Sequence, residues 1–131
     1  MKIAYIDPVG GIAGDMLLGA LLDCFGKEEE DYVLQNLRRL PLPSWQWQRK
    51  IEIRQGFGGT KIDFAVPQEK NHRHLNDIKN IIEKACFPKA VESRCFKTFD
   101  LLAEAEEKAH RMKKEDIHFH EVGAMDTILD I

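Results

Sequence analysis

The chain has 131 residues, 44% of them apolar and 31% charged, with a formal net charge of −3 and a pI near 5.9. That is enough chain for one domain with a real core, and the acidic balance argues against a nucleic-acid partner, which needs a basic face. Cys24, Cys86 and Cys95 are odd in number and form no CxxC, so neither a disulfide framework nor a zinc ribbon is expected, and buried thiols in a reducing cytoplasm are the simplest reading. The apolar run Met16 to Leu22 lies between Asp15 and Asp23 and is too short for a membrane span or a signal peptide.

Taken in order, Lys2 to Ile6 reads as a short buried strand. Asp7-Pro8 ends it, because proline removes a donor and stiffens the turn. A glycine-rich loop, Val9 to Gly14, then leads into a helix from Asp15 to about Phe25, with Gly26 as its stop. Free N–H groups at such a helix start can hold phosphate or carboxylate, which makes Gly10, Gly11, Gly14 and Asp15 candidates for binding a cofactor. The loop is neither a Walker loop nor a full dinucleotide fingerprint, and a tight turn explains it as well. Asp7 and Asp15 flank the loop and would repel a phosphate unless a divalent cation lay between. Asp15 is also explained as a cap, whereas Asp7 stands at the carboxyl end of a strand, where open sheets place ligands.

Glu28 to Leu40 is a second helix whose acidic start, Glu28 to Asp31, reads as solvated. Trp45 to Arg54 alternates, with Trp45, Trp47, Ile51 and Ile53 on one face. Gly56 to Gly59 turns the chain, and Thr60 to Val66 returns with Ile62, Phe64 and Val66 inward, so a hairpin is expected. His72-Arg73-His74 precedes a helix from Leu75 to about Cys86 that buries Ile78, Ile81, Ile82 and Ala85. His72 and His74 can share a metal if they lie in the loop, but not if the helix already includes them. A longer helix, Lys89 to about Arg111, carries Phe96, Phe99, Leu102 and Ala103 on its buried stripe. His110, in its last turn, suits the helix dipole and is also near enough to His118 in sequence to be a candidate ligand.

The densest chemistry lies at His118-Phe119-His120-Glu121-Val122-Gly123-Ala124-Met125-Asp126. If Ile117 to Glu121 is extended, His118 and His120 point the same way. Two imidazoles on one face suit a borderline metal such as nickel, zinc or copper. Asp126 can return to the site from a helix spanning 124–131. Glu121 and Asp126 are the candidate catalytic carboxylates, and His118, His120, Asp7, His72 and His74 the candidate metal ligands. The last helix stops without a cap. Its apolar residues, Met125, Ile128, Leu129 and Ile131, are expected to lack a covering partner, leaving a homo-oligomer or a frayed end as the outcome. A cleft between the glycine loop and the stretch 118–126 is also expected, because these are the two polar concentrations of the chain.

The same stretch, followed by an acidic residue, a hydroxyl residue and Ile128-Leu129-Asp130-Ile131, resembles the signature of the LarC family of nickel-insertion proteins. The resemblance extends to Asp7-Pro8-Val9-Gly10-Gly11-Ile12-Ala13-Gly14-Asp15-Met16-Leu17-Leu18-Gly19-Ala20-Leu21. Weaker patches are Arg73-His74-Leu75 and Leu102-Ala103-Glu104-Ala105-Glu106. The resemblance implies insertion of Ni²⁺ into a pyridinium-3,5-bisthiocarboxylic acid mononucleotide, the precursor of the nickel-pincer cofactor of lactate racemase. It also implies that the full-length protein consumes CTP, with Mg²⁺ or Mn²⁺, in a C-terminal portion beyond this chain. On that reading the chain is an N-terminal portion whose partners are the pincer nucleotide precursor and the rest of the protein.

The expected fold is α/β or α+β, a small mixed sheet covered by about four helices, in one domain. The competing functional readings are a free-standing metal-dependent hydrolase using His118, His120, Glu121 and Asp126, and a non-catalytic assembly domain with incidental histidines. Turnover of phosphoesters would favour the first, and indifference to every metal the second.

Overall fold

The computed structural model describes residues 3–67, 73–110 and 124–131, together with the backbone of 118–119. Among the described residues, five helices and two small antiparallel sheets follow one another as α1 (Gly14–Cys24), α2 (Lys27–Leu37), β1 (Gln46–Arg54), β2 (Phe57–Ala65), β3 (Arg73–His74), α3 (Leu75–Lys84), α4 (Lys89–His110), β4 (His118–Phe119) and α5 (Met125–Asp130). The fold is therefore mixed α and β, as expected, but its strands form two separate pairs, β1 with β2 and β3 with β4. No helix among the described residues is long and apolar enough to cross a membrane.

Local chemistry accounts for the helix starts. The side chain of Glu29 reaches back to accept the N–H of Gly26 at 3.0 Å, and that of Asp77 accepts the N–H of His74 at 2.9 Å. Each bond satisfies a donor that the first helical turn leaves free. The hairpin is set by its turn. Gln55 and Gly56 both have positive φ, at 50° and 85°, the backbone that matches the twist of paired strands. The turn thus lies one residue earlier than Gly56 to Gly59 suggests, and Phe57 already belongs to β2. The register pairs Arg54 with Phe57, Ile51 with Thr60 and Trp47 with Phe64.

The core gathers Leu40, Ile78, Ile82, Ala85, Phe99, Ala103, Met125, Ile128 and Leu129. Phe64 seals its edge with both tryptophans edge-on, at centroid distances of 5.7 Å for Trp45 and 5.4 Å for Trp47. Ile51 and Ile53 share the face of Trp47 but are exposed. Between these, Arg49 of β1 reaches Glu30 at 2.7 Å and the carbonyl of Leu22 at 3.2 Å.

Several sequence-based expectations are corrected here. Residues 3–6 form no strand, and Tyr5 is 88% exposed; the stretch pairs with no strand among the described residues. Glu30 is not solvated but 7% exposed, because Arg49 neutralises it and holds its carboxyl below the usual range. Cys24 and Cys86 are exposed and Cys95 half-buried. The apolar side of α5 is covered within the chain: Met125, Ile128 and Leu129 are buried, leaving only Ile131 at 38% exposure.

Candidate functional site

The glycine loop is shaped by one tight turn, in which the N–H of Gly11 donates to the carbonyl of Pro8 at 3.0 Å. Gly11 holds φ at +89°, a region that an L side chain enters only with strain. Gly10 stands in open space. Helix α1 then begins at Gly14 with Ala13 as its N-cap. Asp15 is consequently inside the first turn rather than at the cap, its Oδ1 accepting the N–H of Met16 at 2.8 Å.

Gly14 has a packing role. A Cβ there would stand 2.6 Å from Cβ of Asp130 and 3.0 Å from its carbonyl oxygen. The absence of a side chain lets α5 lie directly against the start of α1, so the glycine loop and the end of the C-terminal motif meet. Asp126, at the start of α5, is exposed and accepts the N–H of Thr127 at 2.8 Å.

The meeting point is acidic. Burial, with the charges of Asp15 and Asp126 added to it, raises the carboxyl of Asp130 to about 6. Its Oδ1 is buried without a hydrogen-bond partner. A carboxyl titrating there can both take and release a proton near neutrality. Three acids beside a helix start disfavour a bare phosphate and favour a cation. Asp130 lies in the motif but is not among the site residues that the sequence suggests. The available signal was a carboxylate inside the apolar run Ile128 to Ile131, spaced i,i+4 from Asp126.

The raised value has a thermodynamic consequence. Below about pH 4 Asp130 is neutral both folded and unfolded; between about pH 4 and 6 the unfolded carboxyl ionises first, so stability falls as pH rises. Asp130→Asn removes that loss. The side chain is only half-buried, so solvent screening reduces the expected gain to about 1 kcal/mol at pH 7. Paired urea titrations of parent and variant should diverge above about pH 5 and coincide at about pH 3.5. Equal stability of the two at pH 7 would contradict the burial argument.

The second sheet sets one histidine of each His-x-His motif opposite the other. Strands β3 and β4 run antiparallel, with Arg73 opposite Phe119 and His74 opposite His118. His74 is half-buried at the N-cap of α3. The side chain of His118, and the whole of His72, His120 and Glu121, lie outside the described residues. Asp7 is exposed in the loop. His110 is engaged by Glu106 at 3.0 Å, one turn back on α4. Among the described residues no group of three His, Cys, Asp or Glu side chains is placed to hold a metal ion.

Comparison with known proteins gives this geometry its context. The sequence profile of the family described as "Nickel insertion protein" matches residues 4–131. The chain belongs to the nickel insertion protein family. It is 42% identical over 130 residues to a protein of Staphylococcus epidermidis, covering 99% of this chain and 32% of that protein. It is 42% identical over 127 residues to one from Staphylococcus saprophyticus, covering 97% and 32%. It is 40% identical over 131 residues to one from Desulfitobacterium hafniense, covering 100% and 32%. All three carry the name "Pyridinium-3,5-bisthiocarboxylic acid mononucleotide nickel insertion protein". This member of the nickel insertion family spans about a third of the length of those relatives. No solved structure matches it.

Proposed function

We propose that this chain supplies the metal-binding part of a protein that inserts Ni²⁺ into pyridinium-3,5-bisthiocarboxylic acid mononucleotide, in the cytoplasm, during maturation of the nickel-pincer cofactor of lactate racemase. One observation carries the reading: antiparallel pairing sets His74 opposite His118, which joins the two His-x-His motifs of a chain that belongs to the nickel insertion family. We assign His118, His120, His72 and His74 as nitrogen donors to the cargo ion, with Asp7 as an oxygen donor. Imidazole suits nickel without closing around it as four thiolates would, so the ion can pass on to the sulfur atoms of the acceptor. Glu121 and Asp126 are assigned to the proton that leaves the acceptor as nickel binds. Gly10, Gly11, Gly14 and Asp15 form the adjoining wall, where a cation relieves the repulsion around Asp130. The CTP of the complete protein, with its Mg²⁺ or Mn²⁺, is assigned to the remaining two-thirds of the relatives' length.

Anaerobic nickel titration tests the proposal. A ligand that binds only the native state stabilises it by about 2.7 kcal/mol at a hundred times its Kd, which is a rise in Tm on the order of 10 °C for a domain of this size. His118→Ala and His120→Ala should each remove most of that rise. His74→Ala should remove a comparable share, because its strand faces His118. A double His118→Ala, His120→Ala variant that binds nickel as tightly as the parent would place the site elsewhere.

A further inference from the structure

A cavity lies on the other side of Asp15. Helix α1 and the far end of the hairpin enclose an open cleft of about 760 Å³, lined from Asp15 to Cys24 on the helix and from Glu52 to Lys61 on the hairpin. We propose that this cleft seats the pyridinium mononucleotide, its ring against Phe57 and its phosphate on Arg54. The inference rests on the nickel-insertion reading for the identity of the ligand, but its geometry is independent of the histidines.

Size is the first argument. Small-molecule sites run from about 300 to 1,000 Å³. The helical wall from Asp15 to Cys24 extends roughly 14 Å at 1.5 Å per residue, long enough for a ring, a ribose and a phosphate in line. The floor is the second. Gly58 and Gly59 are strand residues, and nothing stands within 4 Å of where their Cβ atoms would be. Glycine weakens a strand and marks places where a ligand can approach the backbone. One residue further on, at Thr60, the floor ends: its carbonyl oxygen would lie 2.4 Å from a Cβ on Gly19, so helix and strand touch there.

Charge is the third argument. A pyridinium mononucleotide joins a cationic ring to an anionic phosphate, and the cleft offers both signs. Phe57 is 82% exposed at its mouth, a cost that nothing in the hairpin offsets and that a cationic ring would use through its π face. Glu52 and Asp23 add negative charge to the lining, and Arg54 and Lys61 positive. Glu52 holds Nε of Arg54 at 2.8 Å, which orients the guanidinium while its side chain stays open to solvent. An oriented guanidinium is the side chain best matched to phosphate. Asp15 lines this cleft and also acts on Asp130, so the cleft adjoins the acidic meeting point of α1 and α5.

Nicotinic acid mononucleotide and the corresponding riboside are suitable probes, titrated into the 131-residue chain by calorimetry and by amide NMR. The mononucleotide should shift the amides of Phe57 to Thr60. Arg54→Ala should weaken it about tenfold and leave the riboside unaffected, since only the phosphate is read by the guanidinium. Phe57→Ala should weaken both by about threefold. Both side chains are exposed, so the variants should keep the parent's Tm. Absence of binding, amide shifts confined to other parts of the chain, or parental affinity in both variants would overturn the inference. Nickel-induced stabilisation, measured on the same samples, separates the two readings. Nickel binding without cleft binding sinks only the cleft, and cleft binding without nickel binding sinks only the nickel site.

Discussion

Replacing Phe99 by Ala should cost about 4 kcal/mol, the largest single loss expected in this chain. Phe99 is 1% exposed and is the largest of the fully buried side chains among the described residues. It projects from α4 into the cluster that holds Ile78 and Ile82 of α3 and Ile128 and Leu129 of α5. Truncation removes the transfer free energy of the ring and leaves a cavity that three helices would have to move to fill. Domains of this kind have about 5–15 kcal/mol in total, so the variant should be partly unfolded at 37 °C. Leu101→Ala on the same helix is the control. Leu101 is exposed, so its loss should stay within about 0.5 kcal/mol. Urea unfolding at 25 °C distinguishes the two, and equal midpoints would show that α4 does not pack as described. Because α5 rests on the same cluster, Phe99→Ala should also loosen Asp126 and Asp130, and with them nickel-induced stabilisation.

Gly19→Ala should be the next largest, at about 2 kcal/mol. On an isolated helix this substitution would stabilise by about 1 kcal/mol, because alanine is the better helix former. Tertiary contact reverses the sign. The added Cβ would stand 2.4 Å from the carbonyl oxygen of Thr60. That neighbour is backbone within the β1–β2 pair, and no rotamer change can relieve the clash. Helix α1 must lift from β2, exposing Leu22 and Ile62, which are buried in this chain. Gly10→Ala makes the contrast, since nothing lies within 4 Å of that position; its effect should stay within about 0.5 kcal/mol. Thermal melts of the two variants decide the matter. A Gly19→Ala variant more stable than the parent would mean that α1 and the hairpin are further apart than described, and the cleft beside Asp15 would go with them.

Elements whose signals are local are legible in the sequence alone. The spacing of Ile78, Ile81, Ile82 and Ala85 is enough to place α3, and alternation before and after Gly56 to Gly59 is enough to place the hairpin, though not the exact turn, because both patterns are read from neighbours in the chain. The length and order of the motifs from Asp7 to Leu21 and from His118 to Ile131 pointed to the nickel insertion family, and the matched profile over residues 4–131 agrees. Everything that needs a second segment comes from packing between elements. Residues 3–6 have a strand-like composition, but a strand exists only where another backbone supplies its hydrogen bonds, and none does so among the described residues. Glu30 looked solvated within its own acidic run and became buried because Arg49, 19 residues away, arrives to neutralise it. Gly14 looked like part of an anion cradle, and packing shows a contact with Asp130 that no side chain would permit. The proton affinity of Asp130 arises from burial and from two acids on different helices. His74 stands opposite His118 in register only because β3 and β4 pair. Periodicity and composition describe a residue's relation to its own segment, whereas burial, charge compensation and ligand convergence depend on which segments meet.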